Sequence, residues 1–120
     1  MPKSLLIISR QAPWSGPGAR EALDIVLAGG AFDLPIGLLF LDDGVWQLAP
    51  RQHAATLHQK DLSANLQALS LFGVDQVFAC GFSIAERGLD PQDLGLDEVQ
   101  LLETAQLSAL IDRYDQVITL

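Results

Sequence analysis

Ser4-Leu5-Leu6-Ile7-Ile8, then a loop from Arg10 to Gly18 rich in Pro, Gly and Ser, then Leu23, Val26, Leu27 and Gly30 at helical spacing, then Pro35-Ile36-Gly37-Leu38-Leu39-Phe40-Leu41: the reading of this stretch decides the fold. The two apolar blocks are continuous rather than alternating. Strands buried on both faces read this way, and such strands belong to parallel sheets covered by helices on both sides. The stripe between them is one face of a helix, which Gly29-Gly30 is expected to end. The unit is therefore β-α-β.

Working outward, the same alternation continues. Asp42-Asp43-Gly44 has turn chemistry, and Val45 to Leu48 reads as one helical turn. Arg51 to Gln59 reads as a loop or irregular helix. Asp61 to Phe72 reads as a helix with Leu62, Leu66 and Leu69 on one face and Gly73 as its C-cap. Gln76 to Cys80 is a third strand. Ser83 is placed to cap a short helix that Gly88 closes. Leu89 to Leu96 is a loop around Pro91, and Val99 to Leu102 a short fourth strand. Leu107, Leu110, Ile111 and Tyr114 stripe the last helix, and Gln116 to Leu120 is the last strand. The expected fold is α/β, a three-layer sandwich around a mostly parallel sheet of about five strands, with right-handed crossovers. One domain over residues 1–120 accounts for the length.

Composition narrows the function. The chain is 49% hydrophobic with a formal net charge of −8. Direct binding to a nucleic-acid backbone needs Lys and Arg, so it is not expected. No apolar run approaches the ~20 residues of a membrane span, and the N-terminus lacks a signal peptide's pattern. The single cysteine, Cys80, permits no internal disulfide and no cysteine-based metal site. A cytoplasmic protein without cofactor or metal is the expectation.

Parallel sheets bind beyond the carboxyl ends of their strands, here Ser9 to Gly18, Asp42 to Val45, Cys80 to Ser83 and the segment near Leu102. Ser15-Gly16-Pro17-Gly18 precedes a helix, as an anion loop does, but it is neither GxGxxG nor a Walker loop; a plain turn accounts for it. Arg20 follows on the first helical turn, where Glu21 and Asp24 are natural partners. Asp42-Asp43 sits where some metal sites place carboxylates, yet Asp-Asp-Gly is fully explained as a turn. His53 and His58, five apart, point roughly 140° from each other on a helix and make a poor chelating pair. Cys80 ends a strand just before a helix, where amides favour thiolate. Against that, free cysteines are among the most buried residues, and the neighbours Phe78, Ala79, Gly81 and Phe82 would raise a thiol pKa. Trp14 and Trp46 lie in loop and turn segments, and exposed aromatics mark interfaces.

Several segments resemble one family. Gly18-Ala19-Arg20-Glu21-Ala22-Leu23-Asp24 resembles its opening helix. Phe40-Leu41-Asp42-Asp43-Gly44-Val45-Trp46-Gln47-Leu48 resembles its F-x-x-D-G-V-x-Q-L segment, and Glu86-Arg87-Gly88-Leu89-Asp90-Pro91 its E-R-G-L-D-P segment. Tyr114-Asp115-Gln116-Val117-Ile118 resembles its closing strand. With these pieces spread over nearly the whole length, the chain is similar to the TusC-type (DsrF-like) subunits of bacterial sulfur-relay complexes, in the DsrE/DsrF-like family. The resemblance implies a Rossmann-like fold and a hetero-hexamer with TusB-like and TusD-like sister subunits. It implies a small protein that donates persulfide sulfur, and an acceptor that carries it towards 2-thiolation of the wobble uridine of tRNA. It assigns the sulfur-carrying cysteine to the TusD-like sister, whose cysteine precedes an Arg-Gly at the spacing from Cys80 to Arg87-Gly88. The expected role here is assembly, with contacts at Trp14, Asp42, Asp43, Val45, Trp46, Arg87 and Gly88. The alternatives are that Cys80 itself carries persulfide, or that the chain is a small-molecule or nucleotide-binding module using the Ser9 to Gly18 loop.

Overall fold

A computed structural model describes residues 3–49, 66–96 and 98–120. Its strands are β1 (Leu5–Ser9), β2 (Ile36–Phe40), β3 (Gln76–Cys80), β4 (Gln100–Leu102) and β5 (Gln116–Thr119). The helices are α1 (Gly18–Ala31), α2 (Gly81–Glu86) and α3 (Thr104–Asp112), with short 3-10 helices at Asp42–Leu48 and Ser70–Phe72. The strands form one sheet in the order β4-β3-β2-β1-β5. Every pairing is parallel, with Ile7 beside Leu38 and Ile118, and Leu39 beside Phe78. The α/β expectation holds. Arg51 to Gln59, both histidines and Leu62 lie outside the described residues.

Alternation along each strand sorts the apolar residues into two cores. Ile7, Leu38, Phe40, Val77 and Ala79 face α1, where Ala19, Ala22, Leu23 and Val26 meet them, joined by Leu66, Leu69 and Ile84. Leu6, Ile8, Leu39 and Phe78 face the other way, onto Leu110 of α3 with Leu107, Ile111 and Tyr114 partly buried around it. Helix α3 starts with a reciprocal cap: Glu103 accepts from the backbone of Gln106, and the Gln106 side chain accepts from the Glu103 N–H.

Glycines within these elements are explained by packing across the chain. Gly37 interrupts the β2 run because a Cβ there would overlap the Tyr114 hydroxyl. Gly29 and Gly30 do not end α1, as their local signal suggested. They are buried inside its last turn, where a Cβ on Gly29 would strike Ile36 and one on Gly30 would lie 2.5 Å from the Phe72 carbonyl oxygen. The helix closes three residues later on a left-handed aspartate. Asp33 has φ 57°, its N–H bonds to Gly30 O at 3.0 Å, and the Leu34 N–H bonds to Gly29 O at 2.9 Å. These are the 5→2 and 6→1 bonds of a Schellman motif. Two further closures use glycine, as expected: Gly73 at φ 81° with Val74 N–H to Leu69 O, and Gly88 at φ 70° with Leu89 N–H to Ile84 O.

Burial pushes the Tyr114 phenol above its ordinary range; nearby Arg113 opposes this and Asp75 adds to it. The fold thus favours the neutral phenol. This contribution to stability is complete below the unfolded pKa of about 10 and is lost as pH rises through the higher folded value. Tyr114 is the chain's one tyrosine. The tyrosinate absorbance of native protein should therefore appear at higher pH than that of urea-unfolded protein; coincident curves would mean that the phenol is solvated.

Candidate functional site

The carboxyl ends of β1, β2 and β3 are stitched into one surface by side chains that follow each strand. Arg10, just past β1, donates from Nε at 2.8 Å and Nη2 at 2.6 Å to Asp42 Oδ2, just past β2. The Asp42 N–H donates to Ser83 Oγ at 3.0 Å, which ties β2 to α2. Arg87, one residue beyond α2, donates to Asp43 Oδ1 at 3.0 Å and to the Ser83 carbonyl at 3.1 Å. Gln47 Nε2 donates to Ser9 Oγ at 2.7 Å and to the Gln11 carbonyl at 3.1 Å. Ser9, Gln47 and Ser83 are all buried, and each is satisfied. The Arg10–Asp42 pair is about half exposed, and in the Arg87–Asp43 pair a mostly covered guanidinium meets an exposed carboxylate; with water reaching both, each is worth ~1 kcal/mol or less and holds orientation more than stability.

Asp42-Asp43-Gly44 is the first turn of the seven-residue 3-10 helix rather than a separate turn before a helix at Val45. Asp42 takes φ 53°, which its short side chain tolerates. Gly44 lies directly against the Ser9 carbonyl, where a Cβ would overlap the oxygen. This close approach presses the helix onto the end of β1 and brings Trp46 to Trp14, ring centroids 5.8 Å apart and tilted 51°. Trp14 is 61% exposed and Phe82, on α2, 59%.

Of the expected contact residues, Trp14, Trp46, Asp42, Asp43 and Arg87 converge on this surface, and Gly88 is exposed just beyond. Val45 does not belong with them: it is fully buried and supports the surface from beneath. Ser83 is inside α2 rather than before it, because the helix starts at Gly81 with Cys80 as its N-cap. Cys80 is buried, 2% exposed, although it is the last residue of β3. The role of Ser9, Arg10 and Gln47 had only a faint signal, two polar residues ending an apolar run and one glutamine in an apolar turn.

Asp42 and Asp43 are neutralised by arginines, and the one thiol is inside. Among the described residues no group of three His, Cys, Asp or Glu side chains could hold a metal ion. The Ser15–Gly18 turn offers an anion little: the Gln11 side chain occupies the space over Gly18, and Glu21 puts a carboxylate in the first turn of α1. No helix among the described residues is long and apolar enough to cross a membrane.

Comparison with known proteins agrees with this architecture. Residues 3–120 match the model of the DsrE/DsrF-like family. A protein of Pseudomonas aeruginosa called "Protein TusC homolog" is 65% identical over 120 residues, all of both chains. "Protein TusC" of Klebsiella pneumoniae subsp. pneumoniae is 34% identical over 116 residues, 97% of this chain and 98% of that one. The ychN protein from E. coli superposes with a TM-score of 0.79 over 100% of both chains at 20% identity, a likeness of fold. The chain belongs to the DsrE/DsrF-like family and stands among its TusC-type members.

Proposed function

We propose that this chain is an assembly subunit of a cytoplasmic sulfur-relay complex, working beside TusB-like and TusD-like sister subunits. In this reading the complex takes persulfide sulfur from a small donor protein and hands it to an acceptor, towards 2-thiolation of tRNA wobble uridine. Family membership and the TusC-type relatives support the relay. The observation that carries the assembly role is the burial of Cys80. Persulfide transfer needs a thiolate that can reach the outer sulfur of the donor's persulfide, bond to it and release the donor thiolate. The 2% exposure of Cys80, the last residue of β3, speaks against that approach. What the surface offers instead is Trp14, Trp46 and Phe82 on a frame cross-linked between three strands, a rigid aromatic patch of the kind that anchors protein contacts.

The test loads the donor with labelled persulfide sulfur, adds the co-purified complex and locates the label by mass spectrometry. Label on a sister chain, with Cys80 unmodified and slow towards iodoacetamide in the native complex, is the expected result. Label on Cys80 would make this chain a carrier and end the assembly-only reading.

A further inference from the structure

The sheet has one long edge that the rest of the molecule leaves bare. Among the described residues β5 pairs with β1 alone and closes the sheet on that side. All four of its residues are exposed, Val117 by 37% and Ile118 by 42%. Parallel strands are ordinarily covered on both faces, and edges are ordinarily blunted by Lys, Pro, a bulge or shortness. The other edge, β4, has three residues. β5 reads Gln116-Val117-Ile118-Thr119, without charge or proline and in unbroken register with β1. We propose that β5 pairs with β5 of a second copy of this chain, antiparallel about a two-fold axis at Ile118, so that two sheets continue as one. This surface is separate from the one at the carboxyl ends, and the pairing does not rest on the relay reading.

Backbone, side chains and charge each point to that occupant. The Gln116 N–H donates to Ser4 O at 3.0 Å and the Leu120 N–H to Ile8 O at 2.9 Å, both inward. By alternation, the N–H and C=O of Val117 and of Thr119 point outward. An antiparallel copy uses all four groups at one register: Val117 opposite the second copy's Thr119, the reverse pair, and Ile118 opposite Ile118 in the close pair that shares no hydrogen bond. A two-residue slip halves the bonds, and a one-residue slip turns the α1 face of one copy to the α3 face of the other. Ile118 lies beside Ile7 and so on the α1 face, Val117 beside Leu6 and so on the α3 face. The same register therefore sets Ile118 on Ile118 over one face and Val117 on Thr119 over the other, β-branched pairs that suit cross-strand contact. The charges at the two ends of β5 balance. Lys3, Arg113, Asp112 and Asp115 stand at its amino end, and Arg10, paired with Asp42, at its carboxyl end. Across the axis, Asp115, whose Oδ2 accepts from Ser4, comes to the end of the other copy where the Arg10 N–H meets Leu120 O. Two strand spacings, about 10 Å between backbones, separate that aspartate from that arginine, within reach of their side chains. A chain of net charge −8 thus meets its copy here with opposite charges rather than like ones facing each other.

The test uses the full-length chain, alone and co-expressed with its sister subunits. Ile118→Cys would place two thiols in the close antiparallel pair, with Cα atoms about 4.5 Å apart and so within disulfide range. Copper-phenanthroline oxidation should link this variant to itself as a dimer on a non-reducing gel, while buried Cys80 stays out of the reaction. Phe32→Cys, more exposed but away from the edge, sets the rate of chance collisions, and the Ile118→Cys link should form at least about tenfold faster. Val117→Pro removes an outward N–H, a place where an edge strand tolerates proline, so it should melt within a few degrees of wild type. It should weaken self-association, read by sedimentation equilibrium, about tenfold or more. Ile118→Lys keeps the backbone and sets like charges opposite each other across the axis, with the same expected loss. An Ile118→Cys chain that links to itself no faster than Phe32→Cys, alone and in the assembly, overturns the pairing. So does wild-type self-association in both Val117→Pro and Ile118→Lys. A link to a sister chain in place of the second copy overturns the second copy as occupant.

Discussion

Gly44→Ala is expected to cost about 3 kcal/mol and to lower the melting temperature by roughly 10 °C. The added methyl would overlap the Ser9 carbonyl oxygen. That oxygen cannot retreat, because it accepts the Leu41 N–H at 3.1 Å and belongs to a strand paired on both sides. The 3-10 helix must move instead. Moving it strains the Gln47–Ser9 bond and the Asp42–Ser83 bond and parts the tryptophans. Thermal melts followed by circular dichroism check this. A variant melting within about 2 °C of wild type would mean that the helix lifts off freely, and the cross-linked surface would lose its claim to rigidity.

Phe40→Ala should cost still more, about 3–5 kcal/mol. Phe40 is fully buried at the end of β2, with neighbouring strands on both sides and the α1 core around its ring. A domain of this kind holds only about 5–15 kcal/mol in total, so the variant should be largely unfolded at physiological temperature. Urea titrations of Phe40→Leu and Phe40→Ala separate cavity from chemistry: Leu should lose no more than about 1.5 kcal/mol. Equal losses would mean that the ring's shape, rather than its volume, is what the site requires.

The strands were legible because their signal is local. Gln76 to Cys80 stands in the structure with the bounds its apolar run suggested, and β1, β2 and β5 lie within a residue or two of theirs. The misreadings share one cause. Gly29-Gly30 and Ser83 carry strong local meanings, stop and cap, that tertiary packing overrode: the glycines admit Ile36 and Phe72, and the serine accepts a hydrogen bond from a residue 41 positions away. Asp33 was invisible as a helix end because nothing local asks an aspartate to do a glycine's work. At the site, a change of direction at Asp42-Asp43-Gly44 was readable, though not that it opens a 3-10 helix, and so was the placement of both tryptophans outside the strands. Which arginine meets which carboxylate was not, since Arg10 and Asp42 are 32 positions apart and Arg87 and Asp43 are 44 apart. Val45 was misplaced because a residue inside a contact motif looks the same whether it faces out or in.

The pairing of Trp14 with Trp46 has an optical side. These are the chain's two tryptophans, and they lie on one surface with ring centres 5.8 Å apart. Intrinsic emission therefore reports on that surface almost alone, without contribution from an indole in either core. At this separation the two indole transitions couple, which makes the near-ultraviolet dichroism a gauge of whether the rings keep their tilt. The molecule comes with its own spectroscopic label, fixed at the place where a partner would quench or shift it.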